Sequence, residues 1–232
     1  MSQSSFGNKF KVTTWGESHG KALGAVIDGC PAGLSLCEED IQKFLDRRKP
    51  GQSRYTTARK EGDLVEILSG VFEGKTTGTP ISLMVRNTDQ RSRDYGNIAY
   101  SYRPGHADYT FDQKYGFRDY RGGGRSSGRE TIGRVAAGAI ASKILGELGI
   151  SICTYTKSIG PVEIASFNKE EIHQNAFYMP DAQAAVKAGE YLEECMKNQD
   201  SAGGVIECRI TGTPAGLGEP VFDKLSALLA HA

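Results

Sequence analysis

Residues 118–130 read Arg-Asp-Tyr-Arg-Gly-Gly-Gly-Arg-Ser-Ser-Gly-Arg-Glu, and this stretch decides how the rest of the chain is interpreted. Its run of three glycines gives a backbone that can take positive φ and lie close against a ligand. Ser127 and Glu130 have the S-x-x-E spacing of a capping box that opens a helix. A helix N-terminus preceded by an arginine-rich loop is typical of a site for phosphate or carboxylate. A solvated loop with a good cap is the alternative interpretation.

A long helix is predicted after this loop, from Gly128 to Leu148, because apolar side chains recur there at helical spacing. Its predicted buried stripe consists of Val135, Ala136, Ala139, Ile140, Ile144, Leu145 and Leu148. Gly149 is placed to end the helix. The glycine-rich stretch is therefore expected to stand at the start of a stable element.

The composition argues against several classes of protein. The 232 residues carry 28 basic and 28 acidic side chains, so there is no net charge to attract nucleic acid or an anionic membrane. The five cysteines include no C-x-x-C pair, which argues against a disulfide framework or zinc site and favours a reducing cytoplasm. No window approaches the ~18 apolar residues of a membrane span, and no signal sequence is evident. We expect a cytoplasmic protein, folded as a single domain over residues 1–232.

The arginines are distributed unevenly. Nine of the fourteen arginines fall between Arg86 and Arg134, whereas Lys114 is the one lysine of fourteen in that interval. The planar guanidinium group of arginine binds carboxylate and phosphate bidentately, whereas lysine acts as a point charge. The bias predicts recognition of specific oxyanions.

A first candidate acid or base is His19. It lies in Gly16-Glu17-Ser18-His19-Gly20, a polar turn between a strand predicted at Phe10–Trp15 and another at Leu23–Ile27. Histidine titrates near neutral pH and is the side chain most often used for proton transfer. A histidine in a turn is nevertheless more often structural.

A second candidate is His106. Residues 87–103 show no apolar period, and a loop of that length inside a compact domain is usually functional or mobile. The loop ends at Arg103-Pro104-Gly105, directly before His106 and close to Asp108. The sequence places an imidazole between a cation and a carboxylate.

The remaining elements indicate an α+β fold. Ser35 and Glu38 have capping-box spacing and predict a helix that runs to Arg48. Further predictions are strands at Leu64–Phe72, Ile81–Val85 and Ile150–Ile159, a turn at Gly74–Thr79, and helices at Asp181–Lys197 and Val221–Ala230.

A strand–turn–helix unit occurs twice in the sequence. Residues 24–34, which end in Pro-Ala-Gly-Leu, recur as residues 204–217, and a helical segment follows each copy. We infer an internal duplication, with a chance resemblance of one strand and turn as the alternative. The second copy stops at His231-Ala232 without a glycine cap or closing strand, so the chain is expected to be truncated at its C-terminus.

The motifs resemble the chorismate synthase family. Residues 16–31 resemble its first signature, residues 124–140 its second, and residues 103–108 the segment that carries its other catalytic histidine. The resemblance runs from about Phe6 to the end of the chain. The family's third signature, an Arg-x-Asp segment, has no counterpart here, and much of the flavin site would lie with it.

The resemblance implies a fold and a reaction. The fold would be a β-α-β sandwich, with antiparallel sheets flanking helices, that assembles into a homotetramer. The enzyme would be a lyase of the shikimate pathway of aromatic amino acid biosynthesis. It would convert the small anionic substrate 5-enolpyruvylshikimate 3-phosphate to chorismate by 1,4-elimination of phosphate, using reduced FMN without net redox change.

The resemblance also implies roles for particular residues. His19 would protonate or stabilise the leaving phosphate, and His106 would lie beside the flavin ring. The matches to the flavin-contacting segment are Arg125, Ser126 and Ser127. The matches to substrate-binding positions are Ser18, Arg48, Arg54, Arg103 and Arg129. Arg48 and Arg54 would also bind nucleotide where the family uses NADPH.

Two other functions stay open at this stage. One is a truncated, non-catalytic relative that binds flavin or anions. The other is an RGG-type nucleic-acid binder that uses Arg121-Gly122-Gly123-Gly124-Arg125 among tyrosines. The zero net charge and the capped helix count against the second function.

Overall fold

The structure, a computed structural model, describes residues 4–52, 55, 61–88 and 99–232. Its contacts divide the chain into two compact units. Unit 1 consists of Met1–Gly51, Ala58–Ile144 and Gly218–Ala232, and unit 2 of Gln52–Thr57 and Leu145–Leu217. The single domain over residues 1–232 stays a prediction.

Unit 1 is built on antiparallel strands. They are β1 (Ser5–Phe6), β2 (Lys11–Gly16), β3 (Ala22–Asp28), β4 (Val65–Ile67), β5 (Val71–Phe72), β6 (Lys75–Thr76) and β7 (Ile81–Arg86). Five of them form one sheet in the order β1-β2-β3-β7-β4, and β5 pairs with β6. The single strand predicted at Leu64–Phe72 is wrong, because Gly70, with φ of +82°, turns the chain between β4 and β5.

Three helices accompany the sheet: α1 (Glu38–Arg48), α2 (Asp108–Tyr115) and α3 (Thr131–Glu147). The N-cap of α1 is Cys37, whose amide donates to the Asp40 carboxylate over 3.2 Å. The capping box predicted at Ser35 and Glu38 is therefore wrong. Ser35 instead forms an isolated bridge with Lys75 of β6, a contact that sequence spacing cannot reveal.

The core of unit 1 fixes α3 directly on the sheet. Ile27 of β3, Ile81 of β7, Leu45 of α1 and Ile140 of α3 are fully buried in one cluster. Burial of each such side chain stabilises the fold by about 1.5–3 kcal/mol. A Cβ on Gly133 would lie 2.9 Å from Thr14 Cγ2 and 3.0 Å from the Gly24 carbonyl oxygen, so α3 approaches β2 and β3 at backbone distance. The N-terminus of α3 is thereby held over the ends of β2 and β3.

Unit 2 contains β8 (Ser151–Ile159), β9 (Val162–Glu163), β10 (Gly204–Thr211) and α4 (Ala182–Lys197). The strands pair antiparallel in the order β10-β8-β9. Met179 and the small residues Ala184, Ala185 and Ala188 form a separate buried cluster. The predicted strand at Ile150–Ile159 and helix at Asp181–Lys197 are confirmed, with Asp181 as the N-cap of α4.

A last helix, α5 (Leu225–His231), is shorter than the Val221–Ala230 helix that the sequence predicts. Helices and antiparallel strands are thus both present, as expected for α+β, while the sandwich and the internal duplication stay predictions. Within the described residues, no helix combines the length and apolar character that a membrane crossing requires.

Candidate active site

The His19 turn (residues 16–20) packs against the glycine loop (residues 121–127). Gly122 has φ of +59°, and a Cβ at this position would lie 1.9 Å from Nδ1 of His19. Only glycine can occupy such a position without displacing the ring. The amide of Ser18 also donates to the Gly124 carbonyl over 3.5 Å. The two motifs that the sequence presents separately therefore form one buried site, in which Ser18 is 2% and His19 8% exposed.

Ser127 makes only half of the predicted capping box. Its hydroxyl accepts from the Arg129 amide over 3.3 Å, and a 3₁₀ turn, Gly128–Glu130, precedes α3. The Glu130 carboxylate does not reach back to Ser127. It accepts from Thr14 Oγ1 over 2.7 Å and from Arg134 Nε over 3.1 Å, because β2 lies beside the helix start. The Ser127 cap is confirmed, and the Glu130 half of the box is wrong.

Arg125 anchors the glycine loop to the end of β2. Its Nη1 donates to the Gly16 carbonyl over 3.0 Å, and its Nη2 donates to the Thr14 hydroxyl over 2.7 Å. Ser126 is exposed, with its hydroxyl donating to the Gly123 carbonyl over 2.7 Å. The guanidinium group of Arg125 thus holds the loop, and the Ser126 side chain faces solvent where a ligand could reach it.

Arg129 is the buried cation of the site, with 4% of its side chain exposed. Its Nε donates to Asn87 Oδ1 over 2.8 Å, and its Nη2 lies 2.9 Å from Asp63 Oδ1. The contact of Nη2 with Asp63 is an ion pair without hydrogen-bond geometry, and Nη1 has no hydrogen-bond partner among the described residues. An unsatisfied buried N–H costs about 1–3 kcal/mol, and more when the group is charged. This nitrogen is therefore a donor suited to an anion.

Asp63 joins two of the arginines that the sequence analysis singled out. It is 1% exposed, and its Oδ2 accepts from Arg48 Nη1 over 2.9 Å. Arg48 also donates through Nε to Thr131 Oγ1 over 3.0 Å and through Nη2 to the Gly128 carbonyl over 3.3 Å. Arg48 is therefore tied to the start of α3, beside Arg129. We call Arg48, Glu61, Asp63, Asn87 and Arg129 the arginine cluster.

The charges of the arginine cluster balance. Glu61 lies 3.9 Å from Arg129 and accepts from both the amide and the hydroxyl of Thr88, over 3.0 and 2.6 Å. Asp63 thus lies against both guanidinium groups, and Glu61 lies near that of Arg129. Buried charges require this kind of pairing, because an isolated ion loses its solvation without compensation.

Arg103 lies beside the glycine loop at Gly123. Its Nη2 lies 3.8 Å from the position that a Cβ on Gly123 would take. Asp108 holds this arginine through Nε and Nη2, each over 2.8 Å. These hydrogen bonds from Arg103 keep the pKa of the Asp108 carboxyl well below its usual range. His106 is exposed, and its amide donates to the Arg103 carbonyl over 3.3 Å.

The arginines of the RGG-like segment are bound within the chain. Arg121 donates through Nε and Nη2 to Asp119 over 2.8 and 2.9 Å, and Arg125 is bound to β2. Burial raises the pKa of Asp119, but hydrogen bonds from Arg121 and the nearby charge of His19 outweigh it and lower that pKa overall. A nucleic-acid function is not favoured.

The structure brings together most of the residues expected at the site. Ser18, His19, Arg103 and the segment 125–127 meet at the glycine loop, and Arg48 and Arg129 meet at Asp63. Arg54 lies outside the described residues. The sequence analysis missed Asn87, Glu61 and Asp63. The signal that could have identified them is that each is a polar residue within three positions of a predicted strand.

The chain matches the family model described as chorismate synthase over residues 10–232. It is 70% identical over 234 residues to the chorismate synthase of Agathobacter rectalis, covering all of this chain and 64% of the relative. The corresponding enzyme of Lachnoclostridium phytofermentans is 68% identical with the same coverage. That of Novosphingobium aromaticivorans is 58% identical, with 65% of its length covered.

A solved structure supports the same assignment. It is described as the crystal structure of chorismate synthase, and it matches with a TM-score of 0.73 and 35% identity. The match covers 91% of this chain and 60% of that one. The chain thus spans 64% of the length of the first relatives above. On the family model and the shared sequence, it belongs to the chorismate synthase family.

Proposed function

We propose that this chain serves the reaction of its family, the 1,4-elimination of phosphate from 5-enolpyruvylshikimate 3-phosphate to give chorismate. The observation that supports this most strongly is the site itself, where His19, the glycine loop and a buried arginine with an unused donor meet. A phosphate and two carboxylates on one small molecule require several charge-assisted hydrogen bonds at close quarters.

Arg129 and Arg48 would bind the anionic substrate. Asp63 fixes both guanidinium groups from behind, so little side-chain freedom remains to be lost on binding. Nη1 of Arg129 supplies a donor that the protein leaves unsatisfied. Ser18 and Arg103, which both lie beside the glycine loop, would contact the same ligand.

His19 would donate the proton that the departing phosphate takes up. Its ring is buried against Gly122, so it cannot drift away from the loop. A group with an ordinary pKa of ~6.5 is protonated in a useful fraction of molecules near neutral pH. Positioned donors at a leaving group are worth roughly 10²–10³ in rate each.

The glycine loop also fits part of a site for reduced FMN. Ser126 is exposed and Ser127 half-buried beside it, while Arg125 fixes the loop from β2. The hydroxyls of both serines would bind the flavin, and the exposed imidazole of His106 would lie beside its ring. When bound, reduced FMN supplies the redox chemistry that none of these side chains can perform.

Further properties of the family are part of the same proposal. They are the β-α-β sandwich with an internal duplication, assembly into a homotetramer, a cytoplasmic location, and use of NADPH through Arg48 and Arg54. In Arg48 the three guanidinium nitrogens already donate to Thr131, Asp63 and Gly128, so a nucleotide would have to share these donors.

The test is anaerobic turnover of 5-enolpyruvylshikimate 3-phosphate with reduced FMN, followed by phosphate release and chorismate absorbance. It is run on this chain and on a version extended by the remaining third of the A. rectalis relative. We expect turnover in at least the extended version, and a loss of roughly 10²-fold in kcat for His19→Ala. If neither version turns over, or if His19→Ala retains full kcat, the proposal fails. Turnover in the extended version alone would identify this chain by itself as a non-catalytic portion.

A further inference from the structure

Asn87, the first residue after β7, connects the two halves of the site. Its Nδ2 donates to the carbonyls of Glu17 and Gly20, over 3.1 and 2.8 Å. These two residues flank Ser18 and His19 in the turn. Its Oδ1 accepts from Nε of Arg129 over 2.8 Å. One side chain therefore touches both the turn that presents His19 and the buried arginine.

No other side chain can fill this position. The amide of asparagine has two donors on Nδ2 and an acceptor at Oδ1. Its hydrogen-bond partners determine which of the two atoms is the nitrogen. Aspartate would place a carboxylate oxygen against two carbonyl oxygens. Glutamine is longer by one methylene, and the backbone cannot retreat because the Asn87 amide donates to the Lys21 carbonyl over 3.1 Å.

Arg129 is itself immobilised. Its side chain is nearly fully buried, its Nη2 forms an ion pair with Asp63, and its Nε donates to Asn87, so a displacement of Nε must pass to Asn87. Because Asn87 holds both ends of the His19 turn, the ring would follow. A change at Nη1, the donor with no hydrogen-bond partner among the described residues, thus has a short path to the imidazole.

We propose that Asn87 is a positioning residue that sets His19 relative to Arg129. It acts through these two residues and need not touch a reacting atom. The inference deepens the proposed function, and it rests on that function for the meaning of the site. The geometry that it invokes can be tested without substrate or flavin.

The experiment compares Asn87→Asp with a matched control, Asn175→Asp. Asn175 ties a turn of unit 2 in the same way: its Nδ2 donates to the carbonyls of Glu171 and Met179, each over 2.8 Å. The readout is the nuclear Overhauser contact between the His19 ring and the Gly122 α-protons, which the close approach at Gly122 requires. We expect Asn87→Asp to lose this contact and Asn175→Asp to retain it.

A second pair of variants keeps the test decisive if Asn87→Asp does not fold. In the wild-type background, Arg129→Lys is expected to shift the His19 ring resonances. In the Asn87→Ala background, the same substitution is expected to leave these resonances where they are in Asn87→Ala alone. If Asn87 had only a structural role, its substitution would not abolish the effect of Arg129→Lys on His19. Retention of the His19–Gly122 contact in Asn87→Asp, or an equal Arg129→Lys shift with and without Asn87, would overturn the proposal. Absence of turnover with an intact coupling would instead count against the proposed function alone.

Discussion

Two buried aspartates, Asp63 in unit 1 and Asp181 in unit 2, differ in the partners of their carboxylates. Asp63 lies in the candidate active site, whereas Asp181 caps a structural helix. Asp181 accepts four backbone amides, from Ala165, Ser166, Gln183 and Ala184, each over 3.0 or 3.1 Å. These four partners are main-chain groups. Asp63 binds two arginines instead.

The difference lies in what remains unsatisfied. Both carboxylate oxygens of Asp181 accept hydrogen bonds from backbone amides of the protein. The arginine cluster leaves three buried polar atoms without a hydrogen-bond partner among the described residues: Nη1 and Nη2 of Arg129 and Oδ1 of Asp63, although the last two form an ion pair at 2.9 Å. A fold tolerates such a cost at a place where a ligand can remove it, so the open donor, rather than burial or charge, separates the site from the scaffold.

The largest expected effect is that of Asp63→Asn. Loss of the carboxylate removes the charge that Arg48 and Arg129 share, and breaking a buried pair costs about 3–5 kcal/mol. The free energy of unfolding from urea titration measures this. The control is Asp28→Asn at an exposed position, expected within about 0.5 kcal/mol of wild type. An Asp63→Asn variant as stable as Asp28→Asn would mean that the buried Asp63 carboxylate is not needed to stabilise the two arginines.

Asp181→Asn is expected to cost about 2 kcal/mol at pH 6, since one of the two pairs of amides loses its acceptor oxygen and meets an NH2 group instead. Hydrogen bonds from the backbone lower the Asp181 pKa to about 2. Because the pKa is lower in the folded state, the contribution of Asp181 to stability is complete above the unfolded-state pKa of ~4. It is lost as the pH falls through the folded-state pKa of about 2.

The gap in unfolding free energy between wild type and Asp181→Asn should therefore narrow between pH 4 and pH 2. Urea midpoints across this range measure the gap. Asp200→Asn, in which an exposed carboxylate accepts from Ser201, provides a baseline without such narrowing. A gap that stays constant down to pH 2 contradicts the assigned cause of the shift.

Gly122→Ala should exceed Gly74→Ala in its effect on stability. Both glycines have positive φ, +59° and +73°, which costs an L-residue about 1–2 kcal/mol. Around Gly74 a Cβ meets nothing within 4 Å, whereas at Gly122 it collides with His19. The difference between the two unfolding free energies isolates the contact between ring and loop. Equal values would show that His19 moves aside without cost.

The smallest effect is expected for Arg134→Ala. Its pair with Glu130 is an i,i+4 contact at 3.1 Å, with 59% of the arginine side chain exposed. Such pairs contribute about 0.3–0.5 kcal/mol. Unfolding in low and high salt checks this, because an exposed pair is screened. A loss of unfolding free energy as large as that of Asp63→Asn would mean that the exposed fraction of an arginine side chain does not determine the contribution of its ion pair to stability.

The parts of the site that could be predicted are local in sequence. The glycine loop, the Ser127 cap and the His19 turn rest on spacings of a few residues and on positive φ at Gly122. The arginine bias predicted recognition of specific oxyanions, and recognition of an anionic ligand stays a prediction. However, the oxyanions that Arg48, Arg103 and Arg121 bind in the structure are carboxylates of the chain itself.

The rest depends on pairings that no local pattern contains. Arg129 meets Asn87 across 42 residues, and Arg48 meets Thr131 across 83. The same holds for α1, where a bridge from Ser35 to β6 leaves Cys37 to cap the helix. Sheet pairing brings these residues together, and it cannot be obtained from spacing in one sequence.

The most direct test of the account is an NMR titration of the chain with 5-enolpyruvylshikimate 3-phosphate. We predict that the resonances of the Arg129 guanidinium, the His19 ring and the amides of Gly122–Gly124 shift with one common affinity, and that Arg129→Lys weakens that affinity. A titration in which these resonances stay unmoved, or in which the largest shifts lie in unit 2, would contradict it.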